Sequence, residues 1–303
     1  MTELQRYLVE EVATDHADGL IPRRDALRRL ALLGLGATAA AALLTACSET
    51  KRKAPVAATG GDAGGSPGVV PSSDAAVATA AITFVGAEGR TLQGAFAAAA
   101  AAPRGAVLVI HENRGLTDHI RNVAGRFAGA GWSALAIDLL SEEGGTAALG
   151  DSANATAALG KVAPERFVAD MRAGLDELAR RAPGKKLGAI GFCFGGGMVW
   201  RLVAAKDPRL AAAAPFYGPL PEGADFTGSK AAVLGVYGEL DTRVNASRDA
   251  ARAALEKAAL PHELVTYPGA DHAFFNDTGQ RYNAGAAAEA WAKVSAWFAT
   301  HLG

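Results

Sequence analysis

From residue 81 to the end of the chain, short apolar runs alternate with longer segments whose apolar residues fall three and four positions apart. The runs at 106–110, 133–137, 186–190, 212–216, 233–237 and 262–267 carry little or no polar interruption. Strands with one wet face would alternate, so these fit strands covered on both sides. Helical spacing fills 118–130, 164–181, 195–205, 246–260 and 286–301. Strand and helix in alternation predict a mostly parallel sheet flanked by helices, an α/β fold in one domain over 81–303. A hairpin at 83–85 and 92–96 opens it, and no internal repeat is visible.

The first 80 residues read differently. Arg23-Arg24 and Arg28-Arg29 lead into an apolar run over 30–46, as a basic segment precedes the apolar part of an export signal. About 17 Ala- and Gly-rich residues are marginal for crossing a bilayer core of roughly 30 Å. Arg23-Arg24 resembles a twin-arginine signal, and Leu44-Thr45-Ala46-Cys47 resembles a lipobox ending on the cysteine that takes lipid. Residues 1–47 are therefore expected to be an export address, with the protein periplasmic or in the cell envelope and Cys47 its contact with a membrane. A simple cleaved signal or an uncleaved anchor would fit the same residues. Gly34-Leu35-Gly36-Ala37-Thr38-Ala39 spells a dinucleotide fingerprint, but no strand precedes it. Residues 48–80, rich in Ala, Gly, Pro, Ser and Thr, read as a flexible linker.

A formal charge of −1 offers nucleic acid no basic surface, so that partner class is excluded. Two cysteines, Cys47 and Cys193, carry separate assignments, so no disulfide is expected. His111-Glu112-Asn113-Arg114-Gly115 lacks the second histidine of a zinc-protease motif, and no phosphate-binding G-x-x-x-x-G-K-[ST] occurs. No metal or cofactor is expected.

In a parallel sheet, reactive residues collect beyond the carboxyl ends of the strands. Three such exits carry chemistry. Gly191-Phe192-Cys193-Phe194-Gly195 has the form of a nucleophile elbow with cysteine as the nucleophile. Its glycines permit a tight strand-to-helix turn, and the helix end beneath is expected to lower the thiol pKa. Asp241 follows the 233–237 run, and His272 follows the 262–267 run. The order Cys193, Asp241, His272 is that of the α/β-hydrolase triad: nucleophile, orienting acid, base. Taken singly, Asp241 also suits a helix N-cap, His272 a loop histidine and Cys193 a buried packing turn. The exit after 106–110 places Glu112 and Asn113 where this fold carries an oxyanion donor, with Asn113 the candidate.

Together these residues resemble the dienelactone hydrolase family of α/β-hydrolases, over roughly 82–303. The resemblance implies that Cys193 is the nucleophile, His272 the base, Asp241 its orienter and Glu112 a contact that helps form the thiolate. It implies an oxyanion hole from the backbone N–H groups of Phe194 and Asn113. Family members clamp a substrate carboxylate with two arginines; Glu142 and Asn276 stand at the matching positions here. Arg114 is the remaining candidate cation, with Tyr217 and Phe274 as candidate substrate-lining aromatics. The expected activity is cleavage of a small-molecule ester or lactone through a cysteine acyl-enzyme. A thioesterase or acyl transferase, or a non-catalytic lipoprotein using the same shell for binding, are the alternatives. The Ala- and Gly-rich stretch 141–161 reads as a flap beside the site.

Overall fold

The computed structural model describes residues 1–53 and 76–303. Most of the anticipated linker lies outside the described residues. Three helices come first: α1 (Glu3–Ala17), α2 (Arg23–Leu32) and α3 (Ala37–Lys53). Strands β1 (Ala80–Val85) and β2 (Thr91–Ala97) follow, then β3 (Ala106–Ile110), α4 (Asp118–Gly129) and β4 (Ser133–Asp138). The chain continues through α5 (Ser152–Leu159), α6 (Pro164–Arg181), β5 (Leu187–Phe192), α7 (Phe194–Ala204) and β6 (Leu210–Phe216). It ends with β7 (Ala232–Gly238), α8 (Thr242–Asn245), α9 (Arg248–Lys257), β8 (His262–Tyr267) and α10 (Ala284–Leu302).

The eight strands form one sheet in the order β1-β2-β4-β3-β5-β6-β7-β8. The β1/β2 and β2/β4 pairs are antiparallel and the others parallel. Strands β3, β4, β5 and β7 are buried throughout, which is why their sequences run apolar without alternation. Successive strand residues point to opposite faces. On β5, a Cβ at Gly188 would meet Leu302 and Phe298 of α10, whereas one at Gly191 would meet Val199 of α7. The sheet is thus sandwiched between α10 on one side and α7 on the other. Phe127 of α4 joins the α10 layer through Trp291 and Phe298, at ring separations of 4.8 and 5.7 Å.

Residues 1–47, expected as an address, pack on the domain. Leu4, Leu8, Val12, Ala26 and Leu30 are buried in the same core cluster as the sheet. The apolar run 30–46 is split: α2 ends at Leu32, Gly34 turns the chain at φ +92°, and α3 begins at Ala37. Among the described residues, no helix is long and apolar enough to cross a membrane. The dinucleotide-like glycines lie in this turn between helices, away from any strand.

The stretch 141–161 is pinned rather than loose. Asp138, at the end of β4, accepts hydrogen bonds from the Thr146 backbone N–H and hydroxyl at 2.7 and 2.8 Å. Arg166 of α6 grips Glu143 at 2.6 and 3.0 Å, and α5 is capped by Asp151 and rests against α2.

Candidate active site

Between β5 and α7 the backbone turns so sharply that Cys193 sits at φ 56°, ψ −117°. A non-glycine residue there is strained, and such strain persists only where the surroundings hold it. The flanking glycines do so. A Cβ on Gly191 would lie 2.2 Å from the Gly195 carbonyl oxygen, and one on Gly195 would lie 2.5 Å from the carbonyl oxygens of both Ile110 and His111. The elbow is therefore closed on itself and pressed against the β3 exit. Phe194 is the first residue of α7, so its N–H has no partner within the helix and is free in direction for an oxyanion. Asn113 and Arg114, a few residues past β3, line a recess with Cys193 and His272.

Asp241 lies just past β7, and His272 lies in the loop after β8. Asp241 Oδ2 meets His272 Nδ1 at 2.6 Å, and its Oδ1 accepts from the Val244 N–H at 3.2 Å to cap α8. The orienting and N-cap readings are both satisfied by one carboxylate. Cys193 Sγ lies within 4.8 Å of a His272 ring nitrogen. The three residues singled out from separate strand exits thus meet, and all are buried.

Glu112 departs from its expected contact. Its Oε2 accepts from Asn276 Nδ2 at 2.7 Å, and its Oε1 is a buried oxygen without a hydrogen-bond partner among the described residues. The residues hydrogen-bonded to the thiol are Tyr7, at 3.2 Å, and Glu11, at 3.5 Å. Both come from α1, which sequence reasoning assigned to the export address. Glu11 Oε1 also lies 3.2 Å from His272 Nε2, and Oε2 lies 2.5 Å from Arg243. The local signal for this was the stripe Tyr7, Glu11, Asp15, one helical turn apart, beside the apolar stripe Leu4, Leu8, Val12.

This acid sets the electrostatics. Burial pushes the Cys193 thiol up and the Glu11 carboxylate adds to it, against a lowering by His272, so the thiol lies above its ordinary value rather than below it. Burial alone would push His272 down, but the Glu11 and Asp241 carboxylates outweigh it and hold the imidazole well above its ordinary value. Burial likewise opposes ionisation of Glu11, yet His272 and Arg243 hold its carboxyl well below the usual range.

The remaining candidates separate. Arg114 lines the recess, whereas Tyr217 and Phe274 are fully buried behind His272, with Tyr217 edge-on to the imidazole at 5.3 Å and to Phe274 at 5.5 Å. They pack the triad from behind. Glu142 is engaged by Arg90 at 3.0 Å and Arg166 at 3.7 Å, so its charge is already compensated. Glu11, Cys193 and His272 together present three donor atoms that could hold a metal. The cation paired with Glu11 is Arg243, whose guanidinium beside the carboxylate repels a second positive charge.

A model of the dienelactone hydrolase family matches residues 92–302. A Salmonella typhimurium protein provisionally named carboxymethylenebutenolidase is 33% identical over 257 residues, covering 78% of this chain and 93% of the relative. A Saccharolobus solfataricus protein with the same provisional name is 30% identical over 238 residues, covering 67% and 92%. The crystal structure of a provisionally assigned dienelactone hydrolase from Klebsiella pneumoniae superposes with a TM-score of 0.63 at 29% identity, covering 73% of this chain and all of that one. A dienelactone hydrolase-like promiscuous phosphotriesterase from metagenomic libraries gives 0.62 at 26% identity, covering 75% of this chain and 100% of that one.

Proposed function

The chain belongs to the dienelactone hydrolase family, and we propose that it hydrolyses a small ester or lactone through a covalent thioester on Cys193. The observation that carries this reading is the convergence of Cys193, His272 and Asp241 at one strained elbow.

In the proposed reaction, Cys193 Sγ attacks the substrate carbonyl carbon while its proton passes to His272 Nε2. Asp241, bonded to Nδ1, fixes the imidazole and stabilises it as imidazolium. The tetrahedral oxyanion is held by the N–H groups of Phe194 and Asn113. The C–O bond then breaks, the alkoxide leaves with the proton from His272, and a thioester remains. Water, deprotonated by His272, attacks that thioester. The carboxylic acid departs and the proton returns to sulfur. Nucleophile, base and oxyanion donors all come from the chain itself.

Turnover of an aryl-ester panel tests the reading, with Cys193→Ala compared against its parent in a Glu11→Lys background that lifts the carboxylate off Cys193 and His272. Loss of activity with an unchanged melting curve supports it; full activity on every ester that the parent cleaves refutes it.

Export belongs to the same proposal. Arg23 and Arg24 are exposed at the first turn of α2, where a receptor can reach them. Fractionation of cells bearing the native chain and Cys47→Ser supports export if the native protein leaves the cytoplasm, and lipidation if only Cys47→Ser loses the membrane. Both remaining in the cytoplasm refutes it.

A further inference from the structure

Helix α1 lies across the site with its polar stripe turned inward. Tyr7, Glu11 and Asp15 follow one another at four-residue steps, so they share a face. Tyr7 Oη reaches Cys193 Sγ at 3.2 Å, Glu11 bridges Cys193, His272 and Arg243, and Asp15 pairs with Arg281 at 2.9 Å. Asp18, just past the helix, pairs with the same Arg281. At the other end Glu3 pairs with Arg201 of α7 at 2.6 Å. The attachment therefore has ion pairs along its whole length and a buried one at its centre.

The centre is where chemistry would occur. An acyl group under attack must lie within reach of both the nucleophile and the base, and the acid it yields is a carboxylate in that same place. Glu11 puts a carboxylate oxygen 3.5 Å from Cys193 Sγ and 3.2 Å from His272 Nε2. The recess left over Cys193 and His272 measures about 50 Å³. Ligand pockets typically run to roughly 300–1,000 Å³, so this one admits a few waters and no substrate. Seated α1 and bound substrate exclude each other.

We propose that α1 is a built-in inhibitor of this active site: Glu11 stands in for the acid product, and the protein is latent until α1 leaves. The inference rests on the ester-hydrolase reading for what is inhibited, but the cover itself is a matter of geometry. Gly19, at φ +76° and with nothing within 4 Å of where a Cβ would stand, ends the α1 segment and offers a pivot. Residues 23–47 follow α1 in the chain, so any process that removes that segment removes the inhibitor with it.

The test uses the full chain with Cys47→Ser, which leaves Cys193 as its single thiol, and adds Glu11→Lys. Seating a lysine there would set a cation against Arg243 and His272, so α1 should detach. Iodoacetamide labelling of Cys193 and aryl-ester turnover are read together, with amide hydrogen exchange reporting α1 and the sheet separately. Breaking a buried charge pair should speed labelling by about thirtyfold or more, with α1 amides losing protection while β3–β7 keep theirs. Turnover should rise alongside. Glu11→Gln, which preserves shape, should fall between. Unchanged labelling with α1 still protected overturns the proposal, as does a fall in turnover by Glu11→Lys with the sheet intact, which would make Glu11 part of the working site. Faster labelling with no turnover of any ester sustains the cover and refutes the ester-hydrolase reading instead.

Discussion

Gly195 and Gly197 lie two residues apart in α7, and the structure assigns them opposite responses to alanine. A Cβ on Gly195 would sit 2.5 Å from two carbonyl oxygens at the β3 exit and 2.9 Å from the Ile110 carbonyl carbon. Carbon contacts are comfortable only at about 3.5–4.0 Å, so α7 and the β3 exit must move apart. Overpacking of this kind costs about 1–3 kcal/mol, against which alanine recovers roughly 0.5–1 kcal/mol of helix propensity. The movement separates the Phe194 N–H from Asn113, and losing one oxyanion donor costs about 10²–10³ in kcat. A Cβ on Gly197 meets Pro219 at 3.6 Å, an ordinary contact, so Gly197→Ala should be stabilising by roughly 0.5–1 kcal/mol with kcat retained. Thermal melts and aryl-ester kinetics, both in the Glu11→Lys background, read the pair. Gly195→Ala with native kcat would refute the placement of the oxyanion hole between α7 and the β3 exit.

Further outcomes follow from the same geometry. In the Glu11→Lys background, Asp241→Asn keeps a residue that caps α8 well but gives His272 the wrong hydrogen-bonding partner, so kcat should fall by about 10³–10⁴; a loss under tenfold would remove Asp241 from the triad. Arg166→Ala deprives Glu143 of two hydrogen bonds and leaves buried Asp170 without its nearby guanidinium, whose carboxyl burial already pushes up to about 6. It should loosen 141–161, read as faster amide exchange there, and an unchanged rate would contradict the anchoring. Docking of α1 should weaken at alkaline pH. Tyr7, Glu11 and Asp15 face Cys193, Asp241, Arg243, His272 and Arg281 across this contact, and the raised His272 pKa belongs to the docked state. Asp241 stays paired with His272 when α1 leaves, so the part of the rise that belongs to docking is the part due to Glu11; that stabilisation is complete below the pKa His272 keeps with Asp241 alone and is lost as pH rises through the higher docked value. The lowered Glu11 carboxyl contributes an acid limb, lost as pH falls through its depressed value. Amide protection of α1 should therefore drop between neutral and alkaline pH; protection that holds or grows there would contradict the linkage.

Much of the domain is legible from local pattern. Apolar runs locate β3 to β7 because both faces of those strands are covered, whereas β8, His262–Tyr267, is half-exposed with polar residues along it, and Gly191, Gly195 and Gly196 locate the elbow because the turn there tolerates nothing larger. Order along the chain was enough to select Cys193, Asp241 and His272, since each sits at a strand exit on the same edge. Glu11 was not legible in this way. It lies 182 residues from the cysteine it touches, and a basic, apolar segment nearby gave its helix another explanation. The anchors of 141–161 were not legible either, because Asp138 to Thr146 and Arg166 to Glu143 are polar pairs 8 and 23 residues apart that composition does not reveal. The helix expected over 246–260 is shorter at both ends, as 248–257, with the separate turn α8 capped by Asp241 before it.

The central claim is that Cys193 becomes acylated. Intact-protein mass spectrometry of Glu11→Lys, quenched in acid during turnover of an aryl ester, reads it directly. The account predicts a mass increase of one acyl group, absent in Cys193→Ala and localised to the peptide carrying Cys193. Steady turnover in which that peptide never carries the acyl group, or an adduct that persists in Cys193→Ala, would contradict it.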